Sequence, residues 1–110
     1  MSNSVSNRDQ IINSITQKIA KNYNPEKIIL FGSAAKNEMS EDSDFDLLII
    51  KNGVEHERNR AYPVRKILRG ENLPPLDIFV YSESETNERI KEKDAFISDI
   101  FNYGQVVYQK

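Results

Sequence analysis

Two short apolar runs, Ile28-Ile29-Leu30-Phe31 and Leu47-Leu48-Ile49-Ile50, bracket a polar segment that opens with Gly32-Ser33 and closes with Asp44-Phe45-Asp46. This arrangement constrains the fold more than anything else in the chain. Each run has the length and β-branched content of a buried strand. The first ends in a turn and the second begins with two carboxylates spaced by two. On a strand that spacing points both acids to one face. Gly lets the backbone approach a ligand closely, and a turn of this kind can present N–H groups and a hydroxyl to a phosphate. Four such positions at a fixed ten-residue interval arise by chance in roughly one chain of this length per thousand.

The rest of the sequence supplies helices to cover those strands. Residues 6–23 predict a helix, with Ser6 and Asp9 as a capping box and Ile12, Ile15, Ile19 and Tyr23 at helical spacing. Asn24-Pro25 stops it, and residues 27–31 form the first strand. A short helix is expected over 33–37, a polar loop over 38–43 and the second strand over 45–50, closed by Asn52-Gly53. Residues 55–69 predict a helix with Ala61, Val64, Ile67 and Leu68 on its inner side, kinked or restarted at Pro63. Gly70 caps it, and Leu73-Pro74-Pro75 makes a stiff turn before a third strand at 76–81. Residues 82–103 read as one long amphipathic helix, opened by a Ser82–Glu85 capping box and lined inside by Ile90, Ile97, Ile100 and Phe101. Gly104 ends it, and 105–108 form a short last strand. The expected fold is a small mixed α/β (α+β) sheet flanked by helices, in one domain spanning residues 1–110.

Composition removes several function classes. The net charge of −2 argues against a general nucleic-acid binder but permits a nucleotide carried by a cation. With no cysteine and one histidine, thiol catalysis and disulfides are excluded and a zinc site is disfavoured. The apolar runs are too short to span a membrane, and the polar start has no signal-peptide core, so the expected location is the cytoplasm.

The chemistry follows from the acids. Asp44 and Asp46 repel one another, and a divalent cation relieves that repulsion. Asp77 opens the third strand. If strands two and three are neighbours, Asp77 lands beside the pair, and three carboxylates can hold two magnesium ions at a phosphorus undergoing in-line displacement. Asp77 would then also be the base that takes a proton from an attacking hydroxyl. His56 reads as a surface residue. Arg58, Arg60, Arg65, Lys66 and Arg69 read as a solvated face, with a patch meeting an acidic partner or ATP as the alternative. Tyr62, Tyr81, Tyr103 and Tyr108 read as half-buried packing residues.

The stretch 28–50 resembles the core of the polymerase-β-type nucleotidyltransferases: Gly-Ser, a spacer, Asp-x-Asp, and a third Asp on a later strand. The Leu30-Phe31-Gly32-Ser33 version, the short length and the ending Val106-Val107-Tyr108 after Gly104 resemble the minimal nucleotidyltransferases (MNT) in particular. The resemblance implies that Gly32 and Ser33 contact the triphosphate and that Asp44, Asp46 and Asp77 bind magnesium. It implies transfer of AMP from ATP to a hydroxyl, with pyrophosphate leaving. Where many members have Arg-x-Arg-Gly after Gly-Ser, this chain has Ala34-Ala35-Lys36-Asn37. Lys36 remains as a point charge for phosphate, without the guanidinium fork, or else as a solvated helix residue. Larger members carry an added helical domain for the acceptor, for which this length leaves no room. The resemblance therefore implies a separate partner, a small helical HEPN RNase toxin that the nucleotidyltransferase neutralises as antitoxin by adenylylating a tyrosine. The alternatives are a small-molecule hydroxyl as acceptor and neutralisation by binding alone. No direct nucleic-acid or membrane contact is expected.

Overall fold

The computed structural model describes residues 7–32 and 45–110. In these residues the order is α1 (Asn7–Tyr23), β1 (Lys27–Phe31), β2 (Phe45–Ile50), α2 (Tyr62–Ile67), β3 (Leu76–Tyr81), α3 (Glu83–Lys91), α4 (Ala95–Tyr103) and β4 (Gln105–Gln109). The expected helix at 33–37, the loop at 38–43 and the Ser6 cap lie outside the described residues.

The strands form one mixed sheet in the order β3-β2-β1-β4, which agrees with the expected fold class. β1 pairs antiparallel with β2 and with β4, and β2 pairs parallel with β3. The parallel pair requires a crossover, supplied by the segment that contains α2. Paired residues share a face, so the register defines two sides. One side carries Ile28, Leu30, Phe45, Leu47, Ile49, Ile78 and Val80. It packs against Ile15 and Ile19 of α1, Val64 of α2 and Leu68 just after it to make the main core. The other side carries three rows across the central strands: Phe31–Asp46–Asp77, Ile29–Leu48–Phe79 and Lys27–Ile50–Tyr81. Ile97 and Ile100 of α4 cover the middle of it.

Several expectations are corrected. The helix expected over 55–69 contracts to six residues. Pro63 falls at its start, and residues before it are held as turns by bonds such as Glu57 N–H to the Val54 carbonyl and Tyr62 N–H to the Asn59 carbonyl. Its neighbour Arg60 is no solvated residue. The guanidinium donates to both carboxylate oxygens of Glu85, at 2.7 and 2.9 Å, and to the carbonyls of Val80 and Glu55. Arg58, Arg65, Lys66 and Arg69 are exposed as expected, as is His56.

The long helix over 82–103 is two helices. The Ser82–Glu85 capping box forms as expected. The chain then breaks at Lys93, which adopts φ +60°, and restarts at Asp94, whose carboxylate accepts from the Ile97 N–H at 3.0 Å. Across the break Ile97 and Ile100 are buried while Ile90 and Phe101 are only half covered, against the expected inner stripe. Of the tyrosines, Tyr81 and Tyr108 are half-buried as expected, whereas Tyr62 and Tyr103 are exposed. At the end of α4, Gly104 allows close approach to β1: an added Cβ would stand 2.8 Å from Ile29 Cγ2.

Candidate active site

The acidic end of the sheet lies where β1 finishes and β2 and β3 begin. Asp46 pairs with Phe31 on one side and with Asp77 on the other. The parallel register puts both carboxylates on the same face at the same level, which is the neighbour relation the sequence requires. The Phe45 N–H donates to the Pro75 carbonyl at 3.0 Å, one rung before the acids, and fixes this alignment. Pro75 follows Pro74 in the stiff turn, so the strand that carries Asp77 starts at a defined point. Asp46 is half-buried and Asp77 is exposed.

Gly32 follows directly on β1 with φ +78°, a backbone state that glycine adopts readily and other L-residues do not. Its α-carbon faces the Asp46 carboxylate so closely that an added Cβ would overlap Oδ2. The turn and the Asp46 carboxylate therefore lie against one another, although fourteen positions separate Gly32 from Asp46 in the sequence.

Of the six expected site residues, three are described: Gly32, Asp46 and Asp77 sit together. Ser33, Lys36 and Asp44 lie outside the described residues. Among the described residues no group of three or more His, Cys, Asp or Glu side chains gathers as a metal-binding cluster. The donors that do meet are two carboxylates, hard oxygen ligands of the kind magnesium prefers, with room left for further oxygens on the exposed side of Asp77. Asp44, two positions before Asp46 in sequence, is a further donor of the same kind. The donor chemistry fits a magnesium ion.

Aromatic rings adjoin the acids, a feature that periodicity alone did not single out. Phe31 and Phe79 lie 5.9 Å apart by ring centroids, and Phe96 of α4 meets them edge-on at 5.7 and 5.3 Å. Such edge-to-face pairs contribute beyond their buried area. The cluster is only half covered: Phe79 is 37% and Phe96 41% exposed. A cleft of about 220 Å³ runs from Gly32 along α4. A larger cleft, about 410 Å³, is at the opposite end of the sheet beside Lys27 and Ile50, away from the acids. Size alone would choose that one, but it adjoins none of the three assembled site residues.

No helix among the described residues is long and apolar enough to cross a membrane. The family model for polymerase beta, nucleotidyltransferase matches residues 13–110. A crystal structure of a Sulfolobus solfataricus protein, proposed to be a nucleotidyltransferase, superposes with a TM-score of 0.64 at 21% identity, covering 92% of this chain and 79% of that one. At that identity the likeness speaks for the fold. Comparison with curated proteins gives no match. With the family model spanning nearly the whole chain, and with Gly32, Asp46 and Asp77 drawn together on one sheet of the matching fold, the chain belongs to the polymerase-β nucleotidyltransferase family.

Proposed function

We propose that this nucleotidyltransferase moves AMP from ATP to a hydroxyl, a tyrosine of a partner HEPN RNase toxin, and so serves as that toxin's antitoxin. The observation that carries the chemical part is the level pairing of Asp46 with Asp77 beside Gly32. The partner and the antitoxin role rest on the resemblance of the Leu30-Phe31-Gly32-Ser33 segment and its flanks to the minimal nucleotidyltransferases.

In this reading Asp46 and Asp77, with Asp44, hold magnesium. When bound, the metal neutralises phosphate charge and aligns attacking and leaving oxygens. Gly32 leaves space for the triphosphate where any side chain would intrude, and Ser33 and Lys36 add a hydroxyl and a positive charge. Asp77 is exposed on the outermost strand, which leaves it accessible to an incoming acceptor. Its carboxylate takes the proton from the acceptor hydroxyl. The hydroxyl oxygen bonds to the α-phosphorus, the bond to the bridging oxygen breaks, and pyrophosphate departs with that electron pair. Holding the nucleophile at a near-attack distance is the main service of such a site.

The test is transfer from ATP labelled on its α-phosphate, with magnesium, purified chain and a helical HEPN partner. Label on a partner tyrosine is the expected result. Label on a small hydroxyl compound instead would replace the acceptor, and tight partner binding without label would leave neutralisation by contact alone. The pair Asp44→Asn with Asp46→Asn should abolish transfer while far-ultraviolet circular dichroism stays unchanged. Transfer retained by that double variant would refute the site.

A further inference from the structure

We infer that the cleft between the end of β1 and α4 is a seat for the base of the nucleotide, and that it selects a base bearing an exocyclic amino group. This inference rests on the nucleotidyltransferase reading of the neighbouring carboxylates and adds to it a specificity site that the acids themselves do not contain.

The cleft is built from one helical stripe and one strand end. Phe96, Asp99 and Tyr103 are spaced i, i+3 and i+7 on α4, so they share a face, adjacent to the buried pair Ile97 and Ile100. At about 1.5 Å rise per residue the stripe runs roughly 10 Å. Phe31 and Gly32, at the end of β1, also line it, with the Phe31 ring edge-on to Phe96. The cleft's volume of about 220 Å³ is below the 300–1,000 Å³ range of sites that enclose a whole drug-sized ligand. It suits one heterocycle, not a complete nucleotide. Gly32 belongs both to this cleft and to the contact with Asp46, so a ligand lying here continues without a gap into the acidic end of the sheet.

The lining matches a base in two respects. Phe96 is 41% and Tyr103 66% exposed, on a helix that buries only Ile97 and Ile100. Phe96 is held on edge by Phe31 and Phe79, which fixes its ring before any ligand arrives. Base–aromatic stacking tolerates any base, so the rings supply affinity. Discrimination comes from Asp99, midway between them. An ionised carboxylate only accepts hydrogen bonds, so its partner must present N–H groups. The exocyclic amino group of adenine, guanine or cytosine presents two, whereas uracil and hypoxanthine offer only a ring N–H.

The test uses the full chain with magnesium and two probes. One is 2-aminopurine riboside triphosphate, whose fluorescence is quenched on stacking. The other is inorganic tripolyphosphate, followed by calorimetry. Phe96→Ala and Tyr103→Ala should each weaken the fluorescent nucleotide about ten-fold. Asp99→Asn should weaken it similarly and narrow the preference for ATP, GTP and CTP over UTP and ITP in competition. None of the three should change tripolyphosphate binding. Tyr103→Ala removes a mostly exposed ring, so it keeps the test open should Phe96→Ala fail to fold.

Unchanged nucleotide affinity in the Tyr103→Ala and Asp99→Asn variants would overturn the base seat and leave the triphosphate reading standing. Loss of tripolyphosphate binding, with quenching of 2-aminopurine riboside retained, would remove the triphosphate reading and leave the base seat. Failure of both probes on the unaltered chain would overturn both.

Discussion

Gly32→Ala tests the contact between the turn and the acids. Two separable effects are expected. The first is backbone strain: an L-residue in the left-handed region loses about 1–2 kcal/mol. For 110 residues the unfolding entropy is about 0.23 kcal/mol/K, so this alone lowers Tm by roughly 4–9 °C. The second is steric, because the new methyl overlaps Asp46 Oδ2 and the carboxylate must move or the turn must open. Overpacking of this sort costs a further ~1–3 kcal/mol. Gly53 and Gly70 provide the control. Their φ values of +87° and +91° impose the same backbone strain, but an added Cβ at either meets nothing within 4 Å. Gly53→Ala and Gly70→Ala should therefore show the first effect and Gly32→Ala both. A double-mutant cycle with Asp46→Ala isolates the second: in that background Gly32→Ala should lose no more than Gly53→Ala does. Chemical denaturation at neutral pH measures all of these. In the transfer assay, an ångström of displacement at Asp46 should lower the rate on the order of a hundred-fold. Equal destabilisation by all three glycine substitutions, with an additive cycle, would refute the proposed contact.

Further outcomes follow from the core, the ion pair and the helix break. Leu47→Ala, at a fully buried position on the main core side, should cost ~2–5 kcal/mol in urea denaturation. Glu85 is held at a pKa of about 2, below its ordinary 4.5, chiefly by the hydrogen-bonded Arg60 guanidinium. A depressed carboxylate stabilises the fold above pH 4.5 and loses that contribution as pH falls towards 2. The stability gap between the parent chain and Arg60→Ala should thus narrow over that window, by ~1 kcal/mol for a pair this open to water. The backbone bonds of Arg60 maintain the remainder, and a gap that does not change with pH would count against the ion pair. Asp94→Ala should fray the start of α4 and reduce helical circular dichroism, with Asp94→Asn recovering part of the loss because Asn also caps.

The strands were legible because apolar runs of four to six residues between polar turns have few alternatives; β2 and β3 begin and end at the expected residues. The pairing of Asp46 with Asp77 was legible only as a condition, since a sequence does not state which strands are neighbours. The break at Lys93-Asp94 was missed because Ile90, Ile97 and Ile100 keep helical spacing across it. The signal available was Asp94 itself, a capping residue three positions before Ile97. In sequence Arg60 is indistinguishable from the basic residues around it. Its bond to Glu85 joins residues twenty-five positions apart and becomes visible only once α3 is placed. The aromatic group at Phe31, Phe79 and Phe96 draws one ring from each of three elements, and local periodicity does not register it.

The place of β1 in the sheet order bears on how the chain comes off the ribosome. Lys27–Phe31 obtains one neighbour from β2 soon after it is made, but its other flank waits for β4, and Lys27 pairs with Gln109. Through most of synthesis an apolar ribbon, Ile28-Ile29-Leu30, offers its unpaired amides and carbonyls to any other nascent strand. Closing a loop of some eighty residues is slow relative to hairpin formation, so this exposure is prolonged. Ribosome-stalled chains ending before Gln105 should be captured by general chaperones far more readily than the finished protein.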